Sequence, residues 1–297
     1  MSNQDIQHLV LSGGAFTGLE QIGIISHLCE NKFMSVENIE TIHCTSIGSW
    51  VASLICLDID FDIIKNYCRR PFNSLKSFTI TSDKILNIYN NLGIIESDII
   101  TDFIGYLFDY KGLQHTITLR QFYDITKKEL YIYSVRLRGF EPIAFHYKTH
   151  PDLKLYDAIY MSSTIIPVMK PIMYNGDYYI DGGFLVNYPL KFAQYKNLKH
   201  HTVLGIKLCS KNDINEDTQK IHTNIIDFIS QYLEESTKLN KKKYKDYHDI
   251  PYQINIPSLM KDKFSMELLD NADVRIQKIQ AGKQLAIDFL KSISYTP

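Results

Sequence analysis

Ser46 lies in the part of the sequence that is best suited to nucleophilic chemistry. It follows residues 40–44, which we predict to be the second strand, and precedes a helical pattern over residues 47–57. A serine at a sharp turn between a strand and a helix presents its hydroxyl clear of the backbone, and the first N–H groups of the helix point towards it. Cys44 and Gly48 occupy the two glycine positions of the elbow pattern Gly-x-Ser-x-Gly. Ser46 is therefore a candidate nucleophile, although a serine between a strand and a helix is more often a simple helix cap.

A glycine-rich turn follows the first apolar run of the chain, residues 6–12, which we predict to be a buried strand. Gly13, Gly14 and Ala15 form this turn, and unpaired N–H groups in such a turn bind anions. Ala15 stands where the dinucleotide-binding fingerprint requires its second glycine, so nucleotide binding is disfavoured. The functional interpretation is an oxyanion hole built from the three backbone amides, and the structural alternative is a tight turn.

Asp181 ends a later apolar run, residues 178–181, and is followed by Gly182 and Gly183. An aspartate before glycines is often only a turn former. It can also act as a general base at the carboxyl edge of an α/β sheet. If the strands before the glycine turn, Ser46 and Asp181 run parallel, their carboxyl ends share one edge. A nucleophile, a base and oxyanion donors then meet there, as acyl hydrolysis requires.

The composition is that of an ordinary globular protein and excludes several functional classes. The 297 residues carry a formal net charge of -1, which provides no field for nucleic acid. Five scattered cysteines without a Cys-x-x-Cys pair argue against disulfides or zinc and for a reducing compartment. The sequence shows no secretory leader, no apolar stretch long enough to span a membrane, and no calcium-binding loop. We predict a cytoplasmic protein that uses no metal and no cofactor.

The periodicity of apolar residues predicts one α/β domain over residues 1–297, with the core motifs in residues 6–208 and a C-terminal extension over residues 215–297. Residues 73–128 have a mostly helical pattern. Predicted helices cover residues 47–57, 61–68, 119–125, 155–163, 219–239 and 272–290, and predicted strands cover residues 40–44, 129–137, 142–147, 178–181, 201–208 and 252–256.

Two further groups of polar residues have ordinary structural interpretations. His146 and His150 flank a polar loop, and because a metal needs more ligands nearby we predict surface histidines. Lysines at positions 241–243 and 245 follow the predicted helix over residues 219–239. Such a run is usually a solvated helix end, and a transient contact with a membrane surface is the functional alternative.

Taken in order, these motifs resemble the patatin-like phospholipase family. Residues 13–18, ending in Gly18, meet the family's opening Gly-Gly-Gly-x-Arg/Lys-Gly, and residues 44–48 meet its Gly-x-Ser-x-Gly. Residues 181–189 resemble the family's Asp-Gly-Gly/Ala segment, and residues 161–167 are similar to the Ala-Ser-x-Ala-x-Pro segment before it. With residues 281–283, which are similar to the family's final helix, the resemblance covers nearly the whole chain.

The resemblance implies a three-layer α/β/α fold with a mainly parallel central sheet. It implies Ser46 as nucleophile and Asp181 as base, with no histidine and no metal in the chemistry. Gly18, Gly48, Gly182 and Gly183, with Cys44, are then motif residues that support the site. The implied partner is a lipid or phospholipid whose acyl ester is cleaved. The sequence carries no signal for the oligomeric state.

Two alternatives remain open at this point. Thr17 stands where the family has Arg or Lys, and together with Ala15 and Cys44 it suggests a catalytically weak or inactive lipid-binding protein on the same fold. An α/β-hydrolase triad would need a histidine after Asp181, and the sequence offers four such residues: His200, His201, His222 and His248.

Overall fold

A mixed and mainly parallel β-sheet forms the centre of the protein in the computed structural model, which describes residues 5–14, 17–70, 92–194, 198–210, 249–258 and 271–295. Five strands run parallel in the order β3-β2-β1-β7-β8. Three short strands, β4, β5 and β6, pair antiparallel at the β3 side. The strands are β1 (His8–Leu11), β2 (Thr41–Thr45), β3 (Glu129–Arg136), β4 (Glu141–Phe145), β5 (Met173–Tyr174), β6 (Asp177–Asp181), β7 (Val203–Ser210) and β8 (Tyr252–Ser258).

Helices cover both faces of this sheet, as the alternation of side chains in β1 shows. Leu9 and Leu11 join the large core on one face, whereas Val10 packs with Leu190 and Ala193 on the other. The helices of the described residues are α1 (Gly18–Glu30), α2 (Ile47–Cys56), α3 (Phe61–Cys68), α4 (Asp98–Ile100), α5 (Tyr106–Tyr110), α6 (Leu119–Thr126), α7 (Leu155–Ser163), α8 (Leu190–Gln194) and α9 (Ala272–Ser292), with a π-helix at Thr101–Gly105 between α4 and α5. The predicted α/β class with a mainly parallel sheet is confirmed.

Strands β2 and β6 meet end to end along one side of β3. The β2 residue Thr45 pairs with Tyr133 of β3, and the β6 residue Asp181 pairs with the next β3 residue, Ser134. The opposite side of this part of β3 is occupied by β4. The expectation that the Asp181 strand runs parallel to the others is therefore wrong. Strand β6 begins beyond the carboxyl edge of the parallel strands and runs back towards β2. Its last residue, Asp181, therefore lies next to the end of β2.

The C-terminal helix α9 packs very closely against α1. A Cβ atom added to Gly23 of α1 would overlap the carbonyl oxygen of Ile279, and one added to Gly282 of α9 would overlap the carbonyl oxygen of Glu20. The side chain of Glu20 is mostly buried at this contact and lies 3.0 Å from Nζ of Lys278. Two helix backbones can approach this closely only where neither has a side chain at the contact. Gly23 and Gly282 therefore allow α9 to pack directly on α1, which covers the sheet.

Most predicted elements that fall on the described residues appear within a few residues of the expected bounds. The helices α3 and α7 have the predicted limits. The short strand β5 was not predicted. The surface assignment of His146 is wrong, because its ring is buried and stacks on Tyr131 with 4.0 Å between centroids. The predicted helix over residues 219–239 and the lysines at 241–243 and 245 lie outside the described residues, as do residues 73–91 of the predicted helical region.

In the described part of the chain, each helix is too short or too polar to cross a lipid bilayer.

Candidate active site

Ser46 occupies a strained turn between β2 and α2. Its backbone has φ 52° and ψ −128°, a conformation that residues other than glycine rarely adopt. The Ser46 N–H donates to Oγ of Ser162 at 2.9 Å, and Ser162 Oγ in turn donates to the carbonyl oxygen of Tyr133 at 2.5 Å. Ser49 Oγ donates to the Ser46 carbonyl oxygen at 2.6 Å. Hydrogen bonds on both sides of the residue thus hold the turn open and keep its side chain at the carboxyl edge.

The hydroxyl of Ser46 is directly hydrogen-bonded to the carboxylate of Asp181. Ser46 Oγ donates to Asp181 Oδ2 at 2.6 Å, and both residues are almost fully buried. The second carboxylate oxygen, Oδ1, accepts the N–H of Gly183 at 2.6 Å. The aspartate therefore has one oxygen fixed by the backbone and the other directed at the serine, an arrangement that suits proton transfer between the two side chains.

Burial makes Asp181 a stronger base than an ordinary carboxylate. Loss of solvation raises the pKa of Asp181 from 3.8 to about 6, against the opposing effects of the hydrogen bonds from Ser46 and from the Gly183 N–H. The carboxylate is still mainly ionised at neutral pH, and a general base works best when its pKa lies near the working pH.

The glycine turn after β1 lies directly beside the serine. A Cβ atom at Gly13 would be 2.6 Å from Oδ1 of Asn187 and 3.0 Å from Cβ of Ser46, so only glycine allows this approach. The N–H of Gly13 donates to the carbonyl oxygen of Asn187 at 3.0 Å. This amide, which the sequence predicts to be one of three oxyanion donors, is therefore already paired in the structure. Gly14 N–H donates no hydrogen bond to the described part of the chain, and Ala15 lies outside it.

Asn187 and Ser162 are two positioning residues to which the sequence analysis gave no role. Asn187 holds the glycine turn twice, because its carbonyl accepts from Gly13 and its Nδ2 donates to the Gly13 carbonyl oxygen at 3.3 Å. Both residues lie within segments that resemble family motifs, and this resemblance is the feature of the sequence that points to a role for them in the site. Their partners are backbone atoms far away in the chain, so spacing alone does not reveal the contacts.

The remaining motif glycines mark close approaches between the elements that form the site. A Cβ atom at Gly48 would be 2.8 Å from the Leu11 carbonyl oxygen, and one at Gly18 would be 2.7 Å from Cγ1 of Ile47. At Gly182 a Cβ atom would overlap the carbonyl oxygen of Tyr133. These positions let α2 start against β1, α1 start against α2, and the turn after Asp181 lie against β3.

Cys44 does not crowd the elbow. The residue is fully buried in β2, and its Sγ donates to the Tyr131 carbonyl oxygen at 3.4 Å. Burial raises the pKa of the Cys44 thiol well above its usual range, so the group is neutral at physiological pH. It replaces the first glycine of the pattern as a core residue of the strand rather than as a reactive one.

Of the histidines considered for a triad, the two that the structure describes are not at this edge. His200 and His201 lie in a short helical turn that ends where β7 begins, beside His8 at the amino end of β1. At about 3.3 Å per strand residue, Val203, the residue after this turn, is already about 10 Å from the level where β1 ends. His222 and His248 lie outside the described residues. Ser46 reaches Asp181 without an intervening imidazole.

Among the residues that the structure describes, no three His, Cys, Asp or Glu side chains lie close enough together to hold a metal ion.

The mainly parallel sheet with helices on both faces defines an α/β/α class of protein. Residues 9–193 match the family model described as patatin-like phospholipase, which is more than half of the 297-residue chain. The protein belongs to the patatin-like phospholipase family. The match ends within α8, so β7, β8 and α9 lie beyond it. Family membership supports lipid hydrolysis as the general class of activity.

Similar proteins occur in two viruses and in Legionella pneumophila. An uncharacterized protein of Acanthamoeba polyphaga mimivirus is 24% identical over 247 residues, which cover 82% of this chain and 79% of that protein. A probable lipid hydrolase of Invertebrate iridescent virus 6 is 28% identical over 196 residues, which cover 65% of each chain. The crystal structure of VipD from Legionella pneumophila aligns with a TM-score of 0.55 and 17% identity, over 97% of this chain and 67% of VipD. That structural likeness shows the fold alone.

Proposed function

We propose that this protein hydrolyses fatty-acyl ester bonds of phospholipids or other lipids, with Ser46 as the nucleophile and Asp181 as the general base. The observation that carries the proposal is the 2.6 Å hydrogen bond from Ser46 Oγ to Asp181 Oδ2 at a turn with positive φ. Membership of the patatin-like phospholipase family and the similarity to a probable viral lipid hydrolase support lipids as the substrate class.

The reaction proceeds through an acyl-enzyme. Asp181 accepts the hydroxyl proton as Ser46 Oγ attacks the ester carbonyl carbon, and a tetrahedral intermediate forms. When the intermediate collapses, the proton passes from Asp181 to the leaving alcohol, and the fatty acid stays esterified to Ser46. Water then gives a proton to Asp181 and attacks the acyl carbon, and collapse of the second intermediate releases the fatty acid and returns the proton to Ser46.

The negative oxygen of each intermediate requires hydrogen-bond donors, which we assign to the glycine turn. The Gly14 N–H is the described amide of this turn that donates to no described group, whereas the Gly13 N–H is held by Asn187. Gly14 and Ala15 are therefore the proposed donors, and Gly13 contributes by allowing the turn to contact Ser46. Donors fixed before the reaction stabilise the developing charge without reorganisation.

A lipid-binding protein with little turnover is the second candidate. Thr17 stands where the family carries a cation, and its Oγ1 is buried without a hydrogen-bond partner among the described residues. A hydroxyl in place of a positive charge weakens anion stabilisation beside the glycine turn. This candidate predicts the same lipid specificity with negligible hydrolysis.

Hydrolysis of a soluble nitrophenyl ester and of a dispersed phospholipid tests the proposal. We expect Ser46→Ala to lose both activities by at least about a thousandfold. Ser53→Ala is the matched control, because Ser53 lies in the same helix and its hydroxyl donates only to the Trp50 carbonyl oxygen at 2.7 Å. Activity that persists in folded Ser46→Ala would rule out the nucleophile, and a folded but inactive wild type would favour the lipid-binding candidate.

A further inference from the structure

Two β-hairpins project beyond the carboxyl edge of the sheet next to Asp181. The β3–β4 hairpin turns through residues 137–140, and the β5–β6 hairpin turns at Asn175 and Gly176, whose φ values are 50° and 80°. Positive φ at both positions is typical of the tight two-residue turn whose twist matches that of the flanking strands. The turn therefore fixes the pairing of β5 with β6. Arg138 ties the two hairpins together, because its Nη2 donates to the Gly176 carbonyl oxygen at 3.1 Å and its Nε lies 3.0 Å from Asp177 Oδ1.

Exposed apolar side chains lie in one row across these hairpins. Leu137 N–H donates to the Tyr178 carbonyl oxygen at 2.8 Å, and Tyr178 pairs with Met173 of β5. Residues in lateral register project from the same face of a sheet. Leu137 is 45% exposed and Met173 is 57% exposed, with the half-buried Tyr178 between them. We call Leu137, Tyr178 and Met173 the apolar row.

The apolar row is close to the proposed catalytic residues. Tyr178 is three residues before Asp181 on the same strand, a distance of about 10 Å at the usual strand rise, and the two side chains project from opposite faces of β6. Phe140, 47% exposed, extends the apolar surface from the neighbouring hairpin towards Phe184, with 6.5 Å between ring centroids. A substrate that contacts the row therefore lies within one lipid length of the Ser46 hydroxyl.

The charged side chains of the two described hairpins beside the row form ion pairs with one another. Arg138 pairs with Asp177, and Arg136 pairs with Glu141 on the adjoining strand. An apolar surface without excess charge fits an uncharged or zwitterionic lipid surface, and it gives no advantage to anionic lipid. A second protein copy would require a larger complementary face, whereas lipid requires only exposed apolar side chains held at one level.

We propose that the apolar row is the surface by which the protein contacts a zwitterionic lipid surface and brings its substrate to Ser46. This inference rests on the proposed function for the role of Ser46, although the contact itself does not depend on turnover. It assigns membrane contact to residues 137–178 rather than to the lysines at 241–245.

Vesicle flotation with dioleoylphosphatidylcholine tests the contact in a Ser46→Ala background, where no lipid is consumed. We expect the double variant Leu137→Ser/Met173→Ser to bind at least about tenfold more weakly, because two large apolar side chains no longer enter the lipid. The matched control is Tyr110→Ser/Ile125→Ser. These two residues are similarly exposed, 55% and 57%, but lie on helices α5 and α6, away from the hairpins. The control should bind as the parent does, and raising the salt concentration should leave the binding unchanged.

The same substitutions in the active protein separate this inference from the proposed function. We expect the row variant to lose at least about tenfold in vesicle hydrolysis and to stay within about twofold of wild type on a monomeric ester. Row-dependent binding by a protein that hydrolyses no lipid would refute the proposed function and uphold the contact surface. Unchanged vesicle binding in the row variant, binding that requires anionic lipid, or a dimer that the row substitutions dissociate in light scattering would overturn the inference.

Discussion

Neighbouring side chains, rather than Ser46 itself, stabilise the strained backbone conformation of Ser46. A non-glycine residue in such a conformation costs about 1–3 kcal/mol, which the surrounding contacts must offset. Ser162 accepts the Ser46 N–H, and Ser49 donates to the Ser46 carbonyl oxygen. Asp181 then receives the hydroxyl in a fixed direction. The position of the hydroxyl therefore depends on residues that need not touch the substrate.

Ser162→Ala is expected to lower kcat by about tenfold with little change in KM, because the Ser46 N–H loses its acceptor and the turn relaxes. Steady-state kinetics on a monomeric ester measures this split. Ser163→Ala is the matched control, since Ser163 is also buried and accepts from Trp50 Nε1 at 2.9 Å without contacting Ser46. Equal losses of kcat in both folded variants would show that Ser162 has only a structural role.

Asp181 is expected to link activity and stability to pH in opposite directions. Because its pKa rises from 3.8 to about 6 on folding, the native protein binds more protons than the unfolded chain between these values. The unfolding free energy of wild type therefore falls as pH rises from about 4 to about 6, whereas ester hydrolysis rises as the carboxylate ionises.

Asp181→Asn should consequently be inactive but more stable than wild type by about 2–3 kcal/mol at pH 7, with the difference vanishing near pH 4. Urea unfolding at the two pH values measures the difference. The amide can still accept from the Gly183 N–H through its carbonyl oxygen, so the turn is retained. An Asn variant that is less stable than wild type at pH 7 would contradict the assigned burial cost.

At the scale of elements, the register of β6 decides whether the serine and the aspartate meet. The sequence predicts a strand ending at Asp181, but local periodicity carries no information on whether β6 runs parallel or antiparallel. The two residues meet because β6 and β2 end on consecutive residues of β3. The hairpin that reverses the chain was signalled by Asn175-Gly176, a pair typical of two-residue turns, although β5 is too short to show any periodicity.

Elements with strong local end signals were predicted more accurately. The bounds of α3 follow from Asp60, whose side chain accepts the Asp62 N–H at the start, and from the Arg-Arg-Pro stretch after its end. Contacts such as those of Asn187 with Gly13 join backbone atoms across the fold and leave no periodic trace. For the same reason, the pairing of the Gly13 N–H was not foreseen.

Gly282→Ala in α9 is expected to destabilise the protein by about 2–3 kcal/mol, because the new methyl group overlaps the Glu20 carbonyl oxygen of α1. Chemical denaturation measures the effect. The sign is informative, since Gly→Ala in an open helix ordinarily stabilises by about 1 kcal/mol. Exposed Ala281→Gly on the same helix is the control and should cost about 1 kcal/mol. A stabilised Gly282→Ala protein would show that α9 does not pack closely on α1.

At the scale of the whole molecule, the described residues beyond the family match complete the sheet and one helical layer. Strand β8 pairs with β7, and α9 packs on α1. Phe33, which follows α1, contacts Phe289 of α9 and Tyr252 of β8 edge to face, with ring centroids 5.5 Å and 5.3 Å apart. The C-terminal residues therefore support the layer that carries the glycine turn, even though residues 9–193 contain the matched family motifs.

The surface around the proposed site suits contact with a lipid. The proposed catalytic pair lies beside two hairpins that carry the exposed apolar row, and the charged side chains of these hairpins are paired with one another. The formal net charge of the chain is -1, so long-range attraction to an anionic surface is weak. Access to lipid then depends on local apolar contact, and chemistry depends on the geometry around Ser46.

Reaction with a fluorophosphonate, followed by mass-spectrometric mapping of the adduct, tests the central claim most directly. The probe reports a serine that a neighbouring base has activated, and it does not require the natural lipid to be known. We expect a single adduct on Ser46 in wild type and at least about a hundredfold slower labelling in folded Asp181→Asn. An adduct on a different residue, or ester hydrolysis by a wild-type protein that leaves Ser46 unlabelled, would contradict the assignment of Ser46 and Asp181.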